Sequence, residues 1–327
     1  MFKRLVVLAV VTLLIAPLVI LAPVTAQTSS IKIGFLPGVV DPFYQVMERG
    51  VRQAAKDLGL GEVVVQIPPQ WGPSVQTPIL DAMVARGDLD YIITSPTDKE
   101  QMVAPLQAAR DAGAKIITVD TFLGDGDYVN GPVTFPISAI GTDNVAMGRI
   151  AGKALAKALG GQGKVYIQNT NAGVSTVEQR SQGFKEAIAE FPGIELVGED
   201  FNLDDANTST EQTAAVLQRE PDLAGIFGVN VFSAEGAGTA VLNAGLGGEV
   251  QVVAIDATAF AIEQLQAGVF TIVVAQVPFD MGYLAVQFAQ ADARGVVSVP
   301  RKVTTGTFVF DQDNVNDPDL QRFIYKN

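Results

Sequence analysis

Ile31-Lys32-Ile33-Gly34-Phe35-Leu36, followed after a short loop by Asp41-Pro42-Phe43-Tyr44, is the stretch that decides the fold. The apolar run reads as a buried strand ending at Leu36. Pro42 then opens a helix at its first position, where its missing N–H costs nothing. The loop between them crosses the carboxyl edge of the sheet, where open α/β sheets bind their ligands. Two readings stand here. Asp41 is a helix N-cap with Phe43 and Tyr44 in the core, or a carboxylate and two flat rings face a sugar, whose apolar C–H faces and hydroxyl rim they suit.

Outward from this stretch, strand-like and helix-like runs alternate. Strands are expected at 31–36, 62–67, 91–94 and 115–119, with amphipathic helices at 43–58, 75–86 and 99–112 between them. Short β-branched runs separated by helices mean a parallel sheet with right-handed crossovers. Gly59, Gly87 and Gly113 sit where those helices should stop. The rhythm breaks between Thr121 and Pro136, then resumes with a short strand at 138–141 and a helix at 145–159 capped by Asp143. A second series follows. Its strands are expected at 164–168, 195–198, 225–229, 250–255 and 271–275, its helices at 176–191, 208–219, 233–244 and 259–267. A helix at 281–294 and a last strand pair, 302–305 and 307–310, finish the chain. Two such series imply an α/β fold of two doubly wound parallel-sheet lobes with a cleft between them. We expect the first lobe to be 31–142 plus 277–304 and the second 143–276 plus 305–327, with a three-stranded hinge.

Before the first strand, Lys3 and Arg4 precede an apolar run, and Val24-Thr25-Ala26 offers a small-residue cleavage site. Residues 1–26 therefore read as a secretory signal peptide; an uncleaved membrane anchor is disfavoured by Pro17 and Pro23. No cysteine follows the run, so no lipid anchor is expected on an exported protein. The charge is −13, and loss of Lys3 and Arg4 makes it more negative, which excludes nucleic acid or an anionic membrane as a partner held by net field. There is no cysteine and no histidine. Thiol chemistry is absent, and so are the commonest general base and zinc ligand, which favours binding without turnover.

Placing the loops after each strand gathers a constellation. The first series supplies Asp41, Phe43, Tyr44, Trp71, Ser95, Asp120 and Thr121; the second supplies Arg180, Phe201, Asn230, Asp256 and Gln276. Carboxylates and amides pair with vicinal hydroxyls, and an arginine forks across two of them. Asp120 and Asp256 end apolar strands at equivalent points of the two series, which favours ligand contact over a structural role. Asp98 and Asp143 read as helix caps.

The ordered set Asp41-Pro42-Phe43-Tyr44, Ser95-Pro96-Thr97-Asp98, Ile117-Thr118-Val119-Asp120, Gly141-Thr142-Asp143-Asn144, Arg180-Ser181-Gln182-Gly183-Phe184, Asn230, Ile255-Asp256 and Ala275-Gln276 resembles the type I periplasmic solute-binding proteins of the ribose/galactose/xylose class, which feed ABC importers. The resemblance spans nearly the whole chain after the leader. It implies that Phe43, Tyr44 and Phe201 sandwich a sugar ring and that Asp120, Arg180, Asn230, Asp256 and Gln276 bond its hydroxyls. It also implies a monosaccharide or polyol ligand, permease subunits as partners and a monomer. The family's ribose binders have Asn in place of Asp41, Asn in place of Ser95 and Arg in place of Thr121. Those departures remove donors and a cation and put ribose itself in doubt. Trp71 has no counterpart there; it either caps the cleft or covers a lobe edge.

Two Asp-rich stretches, 124–127 and 311–317, hint at calcium, but Val315 stands at a ligand position of the second, and turn chemistry explains both. No phosphate-cradling glycine loop follows Leu36 or Gln168, so no nucleotide or other cofactor is expected. The rivals are a carboxylate-based carbohydrate-active enzyme and the ligand-binding core of a regulator; the leader and the lack of a DNA-reading helix pair speak against the regulator.

Overall fold

A computed structural model describes residues 30–326; the leader expected at 1–26 lies outside the described residues. In chain order the strands of the first half are β1 (Ile33–Leu36), β2 (Val64–Val65), β3 (Tyr91–Thr94), β4 (Lys115–Val119) and β5 (Ala139–Thr142). Those of the second half are β6 (Gln162–Asn169), β7 (Gly193–Phe201), β8 (Leu223–Gly228), β9 (Gln251–Ile255), β10 (Phe270–Ala275), β11 (Lys302–Thr305) and β12 (Phe308–Phe310). They form two six-stranded sheets, ordered β11-β5-β4-β3-β1-β2 and β12-β10-β9-β8-β6-β7. Every neighbouring pair is parallel except β10 and β12.

The first five strands of each sheet have the same order relative to one another, so each sheet reverses direction beside its first strand: between β1 and β3, and between β6 and β8. At such a reversal the helices leave opposite faces and open a crevice beyond the strand carboxyl ends. The final two strands were expected as a pair. They part instead: β11 extends the first sheet beside β5, and β12 closes the second against β10. Gly306 and Thr307 carry the chain between them.

The helices α1 (Pro42–Asp57), α2 (Pro73–Ala85), α3 (Val103–Asp111), α4 (Asn144–Ala158) and α5 (Ser175–Ile188) precede α6 (Ala206–Arg219), α7 (Val231–Asn243), α8 (Ala259–Gln266) and α9 (Pro278–Ala293). No helix among the described residues is long and apolar enough to cross a membrane. Each sheet is covered on both faces. Met47, Val51 and Ala285 pack on one face of the first and Leu80, Met83 and Leu106 on the other. The second sheet has Val241 and Leu265 on one side and Met147, Leu155 and Phe184 on the other. The chain passes between the lobes three times: from β5 to α4, from β10 to α9, and from β11 to β12.

Two further expectations needed correction. The helix expected at 99–112 begins only at Val103, because residues 99–102 form turns. Asp98 therefore caps that turn, accepting the Glu100 and Gln101 amides at 2.8 and 2.7 Å. The strand expected at 62–67 pairs over Val64 and Val65 alone, at the sheet edge. Asp143 is the N-cap of α4, accepting the Ala146 amide at 2.9 Å. In the Asp-rich stretches, Asp127 accepts the amides of Val129 and Asn130, and Asp311 those of Asp313 and Asn314, which is turn chemistry.

In each lobe a helix pair is pressed together through reciprocal glycines. A Cβ on Gly50 of α1 would overlap the Phe279 carbonyl oxygen of α9, and one on Gly282 the Met47 carbonyl. In the second lobe a Cβ on Gly148 of α4 would overlap the Arg180 carbonyl of α5, and one on Gly183 the Val145 carbonyl. The obstacle is backbone in all four cases, so the helices must move apart. Overpacking of this kind costs about 1–3 kcal/mol. Gly50→Ala is therefore expected to lower the unfolding free energy by that amount, read as a lower denaturant midpoint at an unchanged m-value; an unchanged midpoint would mean that the two helices have slack at their crossing.

Candidate functional site

The loops at the carboxyl edges of the two sheets face each other across the cleft. They enclose a cavity of about 40 Å³ lined by Val39, Asp41, Phe43, Tyr44, Trp71, Asp120, Thr170, Val174, Thr176, Val177, Arg180, Asp204, Asn230, Phe232, Asp256 and Gln276. A single water needs roughly 10–15 Å³ by the same measure, so the space suits one small molecule. The lobes are drawn together beside it. Lys99 forms an ion pair with Glu178, the Lys99 amide reaches the Gly173 carbonyl at 3.0 Å, and the Phe122 amide reaches the Ser175 hydroxyl at 3.1 Å.

Helix termini place the polar groups. Asp41 caps α1, with Oδ1 accepting the Tyr44 amide at 2.7 Å. Both readings of the opening stretch thus hold at once: Asp41 is a cap and a cavity wall, and Phe43 and Tyr44 are core and cavity wall. Asn230 does the same for α7, accepting the Ser233 amide while its side-chain N–H donates to Asp204 Oδ1 at 2.7 Å. Arg180 projects from α5. Its Nε donates to Asn144 at 2.8 Å and its Nη1 to the Val229 carbonyl at 3.0 Å, and Nη1 stands 4.0 Å from Asp256 Oδ2.

Each carboxylate is anchored through one oxygen or both. Asp120 accepts the Tyr44 hydroxyl on Oδ2 at 2.8 Å. Asp256 accepts both the Gln276 amide, at 2.8 Å, and the Tyr325 hydroxyl, at 3.1 Å, on Oδ1. Asp204 takes Asn230 on one oxygen and Asn171 on the other, at 3.0 Å. Among the described residues no hydrogen bond is made to Asp41 Oδ2, Asp120 Oδ1 or Asp256 Oδ2, and Arg180 Nη2 donates to no acceptor. Three acceptors and one charged donor are left for something in the cavity.

Among the described residues four non-glycine residues have positive φ, and three of them are cavity carboxylates: Asp120 at 60°, Asp204 at 58° and Asp256 at 80°, with Leu203 the fourth. Left-handed backbone is strained for such residues and collects at functional sites. Charge is crowded as well. Burial raises the pKa of Asp120 to about 6, although Arg180 and the Tyr44 hydroxyl pull it down. Burial likewise raises Asp204 to about 6 against its two asparagine donors. Asp41 is pushed well above the usual carboxylate range by burial, opposed by the Tyr44 amide and reinforced by Asp256, Asp204 and Asp120. Asp256 rises for the same leading reason, against Arg180 and its hydrogen-bond donors.

Nine of the twelve residues singled out in the sequence line this cavity: Asp41, Phe43, Tyr44, Trp71, Asp120, Arg180, Asn230, Asp256 and Gln276. The Trp71 ring stacks on Tyr44 with centroids 6.4 Å apart, and its Nε1 donates to the Thr97 carbonyl at 2.8 Å. A Cβ at Gly38 would lie inside the indole, so the ring fits only over glycine. Gln276 spends its amide inward, on Asp256 and on the Thr142 hydroxyl at 2.8 Å.

Three residues do not line it. Thr121 donates its hydroxyl to the Pro96 carbonyl at 2.8 Å, and Ser95 is buried outside the lining. Phe201 ends the edge strand β7 and stands 41 % exposed, away from the cavity. The third ring is Phe232. It lies two residues after the cap Asn230, as Phe43 lies two after the cap Asp41, and that repeated spacing was the available signal. Asp204 was also missed. It stands directly before Asp205, which caps α6, and nothing in the sequence separates the roles of the two.

The pKa values carry a sign that can be checked. With Asp120 and Asp204 near 6 when folded and about 4 when unfolded, the folded chain binds more protons between those values. The stability these groups contribute to the ligand-free protein is then fully present below about pH 4 and is lost as pH rises through about 6. Calorimetry should give a higher Tm at pH 5 than at pH 7.5, and Asp204→Asn should shrink the difference. A Tm that falls on acidification over this range would contradict the crowding of carboxylates.

Comparison with known proteins places these observations in a family. The ribose import binding protein of Salmonella typhimurium is 28% identical over 255 residues, 78% of this chain and 82% of the relative. The D-allose-binding periplasmic protein of Escherichia coli is 29% identical over 243 residues, 74% and 78% of the two chains. A crystal structure of an ABC transporter solute-binding protein from Agrobacterium vitis, bound with α-D-tagatopyranose, superposes with a TM-score of 0.88 at 44% identity, covering 91% of this chain and all of that one. One from Burkholderia graminis in complex with D-arabinose gives 0.81 at 26% identity, covering 89% and 98%. The sequence model described as periplasmic binding protein domain matches residues 33–295, and the chain belongs to that family.

Proposed function

We propose that this chain is an exported receptor that closes two lobes on one neutral monosaccharide or polyol and presents it to the permease subunits of an ABC importer. The observation that carries this reading is the set of unpaired acceptors on Asp41, Asp120 and Asp256, beside the spare Arg180 Nη2, around a cavity walled by Phe43, Tyr44, Trp71 and Phe232. Hydroxyls satisfy such acceptors, and the ring faces cover the C–H surface between them. The sugars named for the relatives, ribose, allose, arabinose and tagatose, belong to that chemical class. The family consists of binding proteins for transport rather than enzymes, so the sugar is released unchanged.

In this reading residues 31–142 plus 277–304 move as one lobe and 143–276 plus 305–327 as the other, hinged where the chain passes between sheets. Export follows from a cleaved leader at 1–26, and the receptor works as a monomer. Four carboxylates against one guanidinium disfavour anionic ligands, because a sugar phosphate or uronate would add charge of the same sign in a desolvated space.

Thermal-shift screening of pentoses, hexoses, polyols and their anionic derivatives, followed by calorimetry, tests the reading. Neutral sugars should give the largest stabilisation. Removing one partner of a desolvated charged hydrogen bond costs about 2–5 kcal/mol, so Asp256→Ala and Arg180→Ala should each weaken binding roughly thirtyfold or more. Asp143→Ala removes only a cap and should cost about 1 kcal/mol of stability with affinity intact. An anionic sugar as the best ligand, or parental affinity in Asp256→Ala, would overturn the assignment.

A further inference from the structure

Resting on that reading, we infer that Tyr325, far from the cavity loops in sequence and beyond the matched domain, is a positioning residue of the site and ties the two lobes together behind it. The segment that carries it follows the 3₁₀ turn Gln321–Phe323 and runs between the lobes. The Tyr325 amide donates to the Ala257 carbonyl at 2.8 Å, and Tyr325 forms a parallel bridge with Thr258, which fixes the backbone to the second lobe just past β9. The side chain goes the other way. Its ring is 3 % exposed within the apolar cluster of the first lobe, with its centroid 5.8 Å from that of Phe43. The next residue is held by the first lobe too, since Arg49 of α1 donates to the Lys326 carbonyl.

The phenol performs two tasks. It accepts the Gln276 backbone N–H at 2.9 Å and donates to Asp256 Oδ1 at 3.1 Å. Burial and the neighbouring Asp256 hold its own pKa well above the ordinary phenol value, so the proton stays on the oxygen. Gln276 Nε2 supplies a second donor to that same Oδ1. Both protein donors converge on one oxygen of Asp256, which turns Oδ2 toward Arg180 and the cavity and fixes which oxygen a ligand meets. Because the ring belongs to one lobe and the hydrogen bonds to the other, the orientation of Asp256 is coupled to lobe position.

A double-mutant cycle on the full chain tests this, using whichever of D-tagatose, D-arabinose, D-allose and D-ribose binds the parent most tightly. Tyr325→Phe keeps the ring and deletes the donor; it should weaken binding about tenfold, the scale of a hydrogen bond to a charged group. In an Asp256→Asn background the same change should cost less than about twofold, because the phenol acts through that carboxylate. On acidification affinity should begin to fall at a higher pH in Tyr325→Phe than in the parent, since Asp256 has lost a donor that favours its charged form. Melting of each variant without sugar shows whether it is folded. Parental affinity in Tyr325→Phe, or an equal loss in both backgrounds, overturns the inference while leaving the sugar-binding reading in place. A parent that binds none of the four sugars overturns both.

Discussion

Four carboxyl groups and a single guanidinium share one small cavity, and the surrounding architecture keeps that arrangement from collapsing. Arg180 can serve several carboxylates only if its own position is fixed. Two bonds fix it, one to Asn144 at the start of α4 and one to the Val229 carbonyl after β8. The helix that carries it lies against α4 at backbone contact, which Gly148 and Gly183 permit. A Cβ at either glycine would displace the guanidinium along with the helix. The dense packing of the second lobe is therefore also the positional reference for the site's one cation.

Preorganisation explains why so many polar groups stay buried at tolerable cost. A buried polar atom without a partner is costly, and a partly satisfied network in low dielectric is worse. Asp41, Asp120 and Asp256 each have one oxygen bound to protein, and the left-handed backbone at Asp120 and Asp256 aims the other at the cleft. Burial raises the carboxyl pKa values, with neighbouring carboxylates adding to the effect at Asp41, Asp120 and Asp204, so charge in the empty site is costly, and a polyhydroxylated guest relieves this by donating to the open oxygens. The same crowding discriminates by charge.

Much of this was legible in the sequence. Alternating apolar runs gave two α/β series because parallel strands are buried on both faces and their crossovers are helical. Loop residues after each strand gave most of the cavity, because the topology delivers all those loops to one edge. The failures have physical causes. Phe201 looked like a loop aromatic, yet β7 runs to it along an open sheet edge, leaving the ring outside. Ser95 and Thr121 follow the right strands but are not among the lining residues. Asp204 was hidden by Asp205, and Tyr325 by distance, since nothing local indicates that a residue near the end of the sequence returns to Asp256.

If relief of carboxylate crowding is what brings the lobes together, closure must depend on ligand. Small-angle X-ray scattering of residues 27–327, titrated with the sugar that stabilises the protein most, measures this directly. The radius of gyration should fall on addition of sugar and level off at saturation, with the sugar recovered unchanged afterwards. The same radius of gyration with and without saturating sugar would contradict a cleft that closes on its ligand.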